Sequence, residues 1–409
     1  MDAAALYLEI RQRTQSGLLI IRKLKPESWP VDITVRPSSI ELKNVKECTT
    51  INFPPEVRIV PSSCRGLQYV LGDGLHMRLL VQAGLNTKLI PAVGDVLKPK
   101  KSCTFYCQSC GESVLKDRTF LRVLSLPGED WSDLVEEWCC HPNPFNDSMF
   151  HPQNGDCFLG HNYFLVNSGS ESPGPESKIP HSESQDATSR GSSSVTNSTA
   201  DSRVLCRRCK ALLGEGVPSG ATKYYFTELF VQPSKVRFGV IPRSPFIQSI
   251  VAQCLEELSS AKNTFRFTIK GTDGTIYILM WLLNSDSLLV ESLGNLASSN
   301  NFTVLEHDTS SNLRLLEIRK AVKVLYHPCV KSRNKDLADA WKSDMGVHSL
   351  TFPLKTCLEL LLILSRSNIS LPPSLRWMNS FQVLLGPLPS SAAHSPCLKS
   401  TKICRCCNQ

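Results

Sequence analysis

The sequence predicts an α+β protein, with a β-rich N-terminal half, an α+β C-terminal half and a disordered Ser-rich insertion between them. Three observations carry that expectation. The first hundred residues alternate apolar and polar positions in short stretches punctuated by turn residues. The second half adds two apolar stripes at helical spacing. Between them lies a stretch almost without apolar side chains.

In the β-rich N-terminal domain, residues 1–100, Leu6, Leu8 and Ile10 alternate, then Val31, Ile33 and Val35, then Val57 and Ile59. Tyr69–Leu79 reads as a hairpin turning at Asp73-Gly74. Residues 101–166 hold a cysteine cluster followed by an aromatic stretch rich in Pro and His. Residues 168–202, dominated by Ser, Pro, Gly and Thr, bury too little surface to offset their ordering entropy and read as a linker. A C-terminal α+β domain spans 203–383. In it, Pro245–Ala261 carries Ile247, Ile250, Val251, Cys254, Leu255 and Leu258 on one helical face. Phe265–Ile269 and Ile276–Leu283 read as strands around Asp273-Gly274, Val322–Tyr326 as another strand, and Lys355–Arg366 as an apolar helix ended by Leu371-Pro372-Pro373. Residues 384–409 form a polar, Cys-containing tail expected to be disordered.

Composition excludes several classes. The chain has 409 residues, 41% hydrophobic and 20% charged, with a net charge of +8. No dense Lys/Arg run marks a nucleic-acid stripe, so no direct nucleic-acid partner is expected. No apolar run approaches the roughly 18–20 residues that cross a bilayer, so no membrane partner is expected either. The N-terminus has no basic region ahead of an apolar core and does not read as a secretory signal. The 17 cysteines are therefore expected in a reducing compartment, the cytoplasm first and the nucleus second, where clustered Cys serve as metal ligands or reactive thiols.

Cys107-Gln108-Ser109-Cys110 and Cys206-Arg207-Arg208-Cys209 are two CxxC knuckles. Each such turn aims two thiolates at one point, and two turns complete a tetrahedral zinc site with Zn–S bonds of about 2.3 Å. Closing the long intervening loop costs about 4 kcal/mol plus a constant, against on the order of 10–16 kcal/mol from a structural zinc. The expectation is one shared structural Zn2+ joining the two halves. A redox CxxC and two independent sites completed by Cys103 or a histidine are the other readings.

Two further cysteine positions stand out. Trp138-Cys139-Cys140-His141 sets two thiols beside an imidazole, ahead of a Pro-stiffened segment; it could serve a second metal or form a buried Cys pair in an aromatic cluster. Thr356-Cys357 opens the apolar helix after Pro353, where a helix N-terminus favours thiolate and suits thioester chemistry, with His348 as the nearby base. A core cysteine is the plain alternative.

Four stretches carry a family resemblance: Pro61–Gln68, Thr104–Glu112, Glu137–Pro142 and Trp281–Leu288. Together they resemble the type-D E3 ubiquitin-protein ligase family, also called HECT-like E2-binding proteins, over about residues 1–383. The resemblance implies an E3 ligase that accepts ubiquitin from an E2 ubiquitin-conjugating enzyme as a thioester and passes it to substrate lysines. Cys357 would be the catalytic carrier of a HECT-like segment at about 350–383. The E2-binding region would fall at about 234–254, with Arg243 and Phe246 in contact with the E2. The resemblance also implies a nuclease-docking motif at about 125–155. There Cys140 would ligate a zinc of the mRNA 3′-end-processing endonuclease, flanked by Trp138, Cys139 and His141. In that alternative the protein is a non-catalytic assembly factor that inhibits or stabilises the nuclease.

Overall fold

A computed structural model describes residues 5–22, 32–43, 48–84, 93–126, 151–168, 203–217, 220–234, 241–292, 316–330, 334–378 and 381–387. The cysteine-histidine stretch 138–141, nearly all of the Ser-rich segment and the tail from 388 lie outside the described residues.

Most described residues are in strands, arranged in four sheets. The largest has ten strands and joins the N-terminal strands to strands of the C-terminal half. Its order runs from Trp377–Met378 and Phe381–Pro387 through Leu316–Pro328, Ile276–Ser292, Ala5–Arg11, Ser16–Arg22 and Gly74–Ala83 to Val57–Val70 at the other edge. Arg266–Gly271 and Val347–Phe352 add to it beside Ile276–Ser292. The N-terminal strands thus share a sheet with residues 276–328, so the sheet crosses the expected boundaries at 100 and 203. A six-stranded sheet runs Arg122–Ser125, Asp156–Leu159, Tyr163–Asn167, Ala221–Tyr225, Leu212–Val217, Arg203–Leu205. A three-stranded sheet holds Leu229–Pro233, Ser102–Cys107 and Ser113–Thr119, and another holds Asp32–Val35, Ser39–Lys43 and Cys48–Asn52.

The 17-residue strand Ile276–Ser292 makes the long sheet possible. Its register breaks between Leu282 and Asn284 and again between Asn284 and Ser287. At the break, the Asn284 side-chain amide donates to Ser287 Oγ at 3.0 Å, and the Asp286 amide donates to Asn284 Oδ1 at 3.4 Å. Such a bulge bends a strand and raises its twist. The half before it pairs with Arg266–Gly271, and the half after it pairs with Ala5–Arg11. The Trp281–Leu288 motif is therefore a structural elbow.

Both faces of the N-terminal strands carry packed apolar side chains, which simple alternation does not anticipate. Leu6, Leu8 and Ile10 pack with Leu19, Ile21, Leu79 and the small sheet's Ile40 and Leu42. On the opposite face Tyr7 and Ile20 pack with Leu289, Leu325 and Leu371. The predicted hairpin turns where expected. Gly74 has φ of 122°, and a Cβ there would sit 2.1 Å from the Ile21 carbonyl oxygen, so only glycine fits against the neighbouring strand.

Four helices are described: α1 (Val93–Val96), α2 (Arg243–Lys262), α3 (Lys335–Lys342) and α4 (Leu354–Ser370). α2 ends at Asn263 in the left-handed conformation that commonly closes a helix. The six apolar residues of its expected stripe are all buried in the main core. α4 runs four residues past the expected end at Arg366, and Pro372-Pro373 stop it after Leu371. α2 and α4 pack against each other, with Val251, Leu255, Leu360, Ile363 and Leu364 in one core with Met280, Val322 and Val324 of the large sheet. No described helix is long and apolar enough to cross a membrane.

Candidate metal centre and buried thiol

The first knuckle follows the strand Ser102–Cys107 and the second follows Arg203–Leu205, so two different sheets deliver the four cysteines. The turns have the same construction. The Cys107 amide donates to the Glu112 carbonyl at 2.7 Å and the Cys206 amide to the Ala211 carbonyl at 2.8 Å. Gly111 and Lys210 close the turns in the left-handed region, at φ 73° and 58°, and their amides return to the carbonyls of Cys107 and Cys206. Glycine takes that conformation freely; Lys210 holds it at some cost.

The sulfurs of Cys107, Cys110, Cys206 and Cys209 lie within 4.8 Å of one another. Cys107 and Cys209 stand 3.6 Å apart, as do Cys110 and Cys206. A tetrahedron with metal–sulfur bonds of about 2.3 Å has edges of about 3.8 Å, so the spacing fits one tetrahedral ion. The short separations cross between knuckles, which favours one shared site over two. Cys103, an alternative ligand in the sequence, points elsewhere: its thiol donates to the Arg118 carbonyl at 3.4 Å, and burial pushes its pKa up to about 11. Cys157 is fully buried and outside the cluster.

Three of the four thiols are shifted from their ordinary range. Burial pushes the Cys107 and Cys110 thiols up. Burial acts the same way on Cys209, but donation from the Ala211 amide and from neighbouring thiols outweighs it and lowers that thiol. Four thiolates cannot crowd together without a positive charge between them, so metal binding must release protons as the ligands ionise. Four soft sulfurs in a tetrahedron suit zinc or iron.

The knuckle is tied to both packed helices. The Gln108 amide donates to the Glu228 carbonyl at 2.9 Å, and its side-chain amide donates to the Ile241 carbonyl at 2.8 Å, just ahead of α2. Glu228 is 3% exposed. Its carboxylate receives the Arg243 guanidinium at 3.0 Å and the Thr356 hydroxyl. Arg243 also reaches Glu359 of α4 at 2.7 Å, the Thr227 carbonyl at 3.3 Å and Thr356 Oγ1 at 3.0 Å. Removing one partner of such a buried pair costs about 3–5 kcal/mol, because the other charge is stranded. Sequence reasoning missed Glu228. Its signal was a lone carboxylate within the aromatic run Tyr224-Tyr225-Phe226-Thr227-Glu228-Leu229-Phe230.

Arg243 and Phe246, expected in contact with the E2, are both engaged within the chain. Arg243 spends its hydrogen bonds inside the protein, and Phe246 is 2% exposed, edge-on to Phe230 at 5.9 Å. Both fix the start of α2.

Cys357, the expected carrier, is enclosed as well. It sits in the first turn of α4, but its amide already donates to the Pro353 carbonyl at 3.1 Å. The side chain is fully buried, and its thiol donates weakly to the carbonyls of Lys270 at 3.6 Å and Phe352 at 3.8 Å. Burial, followed by the charge of Asp273, pushes its pKa up to about 12, against the lowering expected from the helix N-terminus. His348 lies on the neighbouring strand, edge-on to His161 at 6.0 Å. A thiol whose folded pKa is raised stabilises the fold below its ordinary value of 9.0, and that contribution is lost as pH rises from there towards about 12. Iodoacetamide at pH 8 is expected to leave Cys357 unmodified in the native protein and to modify it in the urea-unfolded chain, read by peptide mass spectrometry. Prompt native labelling would show that α4 opens readily.

Comparison with known proteins matches the sequence to a family. The model of the HECT-like ubiquitin-conjugating enzyme (E2)-binding family matches residues 9–383. The chain is 51% identical over 381 residues to a Homo sapiens protein named as an E3 ubiquitin-protein ligase, covering 92% of this chain and 96% of that one. The Bos taurus protein of the same name is 50% identical over 384 residues, covering 93% and 97%. The Mus musculus protein is 50% identical over 377 residues, covering 92% and 96%. No solved structure matches. The match takes in both knuckles, the elbow strand, α2 and α4, and the chain belongs to the HECT-like E2-binding family.

Proposed function

We propose that the protein is an E3 ubiquitin ligase that engages an E2 carrying ubiquitin and promotes transfer to a substrate lysine. The observation that carries this reading is the family match across nearly the whole chain, with relatives about half identical that bear the name of ubiquitin ligases. In the conformation described, the sulfur of Cys357 is enclosed and held protonated. The geometry therefore favours transfer directly from the E2. The lysine amine attacks the thioester carbonyl, the C–N bond forms, the C–S bond breaks, and the E2 cysteine leaves as thiolate. A relay through Cys357 requires the first turn of α4 to leave the core.

Single-turnover discharge of a charged E2 separates the two routes. Direct transfer predicts discharge that survives Cys357→Ala and no reducible adduct on this chain. An adduct that appears with wild type and vanishes in Cys357→Ala would establish the relay instead.

We further propose that the four cysteines hold one structural zinc, as the donor set and spacing favour. The ion would neutralise the thiolates and clamp two sheets whose strands lie far apart in the chain. Elemental analysis of fresh protein is expected to give one zinc per chain. Stripping it should lower the melting temperature and loosen α2 and α4, read as faster amide exchange in both helices. A zinc-free protein with unchanged melting would refute the assignment.

A second reading is the nuclease assembly factor. The four-cysteine cluster is complete without the donors at 139–141, which leaves Cys140 and its neighbours surplus to this chain's own metal site. Cys140 would then fill an open zinc position on the mRNA 3′-end-processing endonuclease and displace the attacking water. Pull-down of that nuclease should fall on Cys140→Ala and on Trp138→Ala. Equal recovery with both variants would dismiss it.

A further inference from the structure

Among the described residues, one face of the ten-stranded sheet is only half covered. Leu371 and Leu375 lie over Tyr7, Ile20 and Leu289. Beside them the same face opens into a groove of about 660 Å³. Its walls include Arg11, Arg65, Arg78 and Lys323, with Glu9 as the only acid among the described residues. Lys323 and Glu9 neutralise each other at 2.9 Å. Among the described residues the three arginines have no carboxylate partner, and all three are exposed.

Their placement is unusual. Arg65 and Arg78 are direct partners on neighbouring strands. Side chains so paired have Cβ atoms about 4.5–5.5 Å apart, and like charges there destabilise the sheet. The backbone is shaped to put them there. Pairing breaks between Val60 and Arg65, and Ser63 fills the gap. Its hydroxyl donates to the Val60 carbonyl at 2.5 Å and accepts the Leu80 amide at 2.8 Å. The Pro61–Gln68 motif, which the metal site and the helices leave unexplained, is this bulge. Arg11 joins from two strands further in, on the same face: Arg78 pairs with Leu18, Leu18 pairs with Glu9, and Arg11 is two residues beyond Glu9.

We infer that this groove binds a phosphorylated peptide, with the phosphate bridging Arg65 and Arg78. A phosphate monoester carries about −1.5 to −2 charge and three acceptor oxygens, enough to satisfy two guanidiniums together. The peptide is favoured over nucleic acid by two observations. Among the described residues the groove is lined by no aromatic ring on which a base could stack. The strand Val57–Val70 that bears Arg65 is a sheet edge, paired on one side only among the described residues, and an extended peptide can hydrogen-bond along it. The binding claim stands independently of the ligase reading.

The test is fluorescence polarisation of the full chain with a labelled nonapeptide pool carrying a fixed central phosphoserine and random flanks. The phosphorylated pool should bind and the serine-centred pool should not. Arg65→Gln and Arg78→Gln should each weaken binding about tenfold. Without peptide, Arg78→Gln should melt at the same temperature as wild type or higher, because a like-charge pair is removed; a merely structural arginine would give the opposite sign. Equal binding of both pools, or binding indifferent to both substitutions, overturns the proposal. So does equally tight, arginine-dependent binding of oligouridylate, or complete competition by inorganic phosphate at the peptide's own concentration.

Discussion

The guanidinium of Arg243 is the point at which the rest of the architecture meets. It joins a buried carboxylate on the turn beside the metal knuckle, a carboxylate on α4 and the hydroxyl that precedes Cys357, while standing at the first residue of α2. A charge largely withdrawn from solvent is tolerated only when its donors are spent, and here the partners come from two separate parts of the chain, the turn at 227–228 and α4. The cysteine cluster extends the same constraint outward. Its first knuckle rests on the backbone of Glu228 and on the residue before the α2 entry, so the metal site, the helix pair and the charge cluster form one assembly.

That assembly explains why the elements most suggestive of chemistry are enclosed. An Arg and a Phe at a helix start, and a Thr-Cys at another, have the local look of contact and nucleophile. In the fold they are the fasteners. Apolar surface remains on the outer side of α4: Leu354, Leu358, Leu362 and Ile369 are exposed on it while Leu360, Ile363 and Leu364 face the core.

Much of this was legible in the residues, for physical reasons that differ by element. CxxC spacing reports thiol convergence directly, because the turn is local and the metal imposes its own geometry; Cys107, Cys110, Cys206 and Cys209 meet as expected. The α2 stripe was equally plain, since a 3.6-residue period survives any tertiary setting. The ten-stranded sheet was not legible. Alternation at Leu6, Leu8 and Ile10 says that a strand forms but not that its partner lies at Leu288–Glu291. The protonation of Cys357 was hidden for a related reason. A helix N-terminus is visible locally, whereas the burial that outweighs it comes from Lys270, Phe352 and the surrounding core.

The elbow in Ile276–Ser292 has a consequence for how the molecule is made. Ala5–Arg11 finds its second neighbour only beyond that bend, and the contact from Arg13 to Asp286 spans 273 positions. A ribosome delivers the N-terminal strands long before their partner exists. The nascent chain must therefore hold an open sheet margin through most of its synthesis, a state that invites chaperone binding and makes the final docking of the elbow strand the natural slow step of maturation.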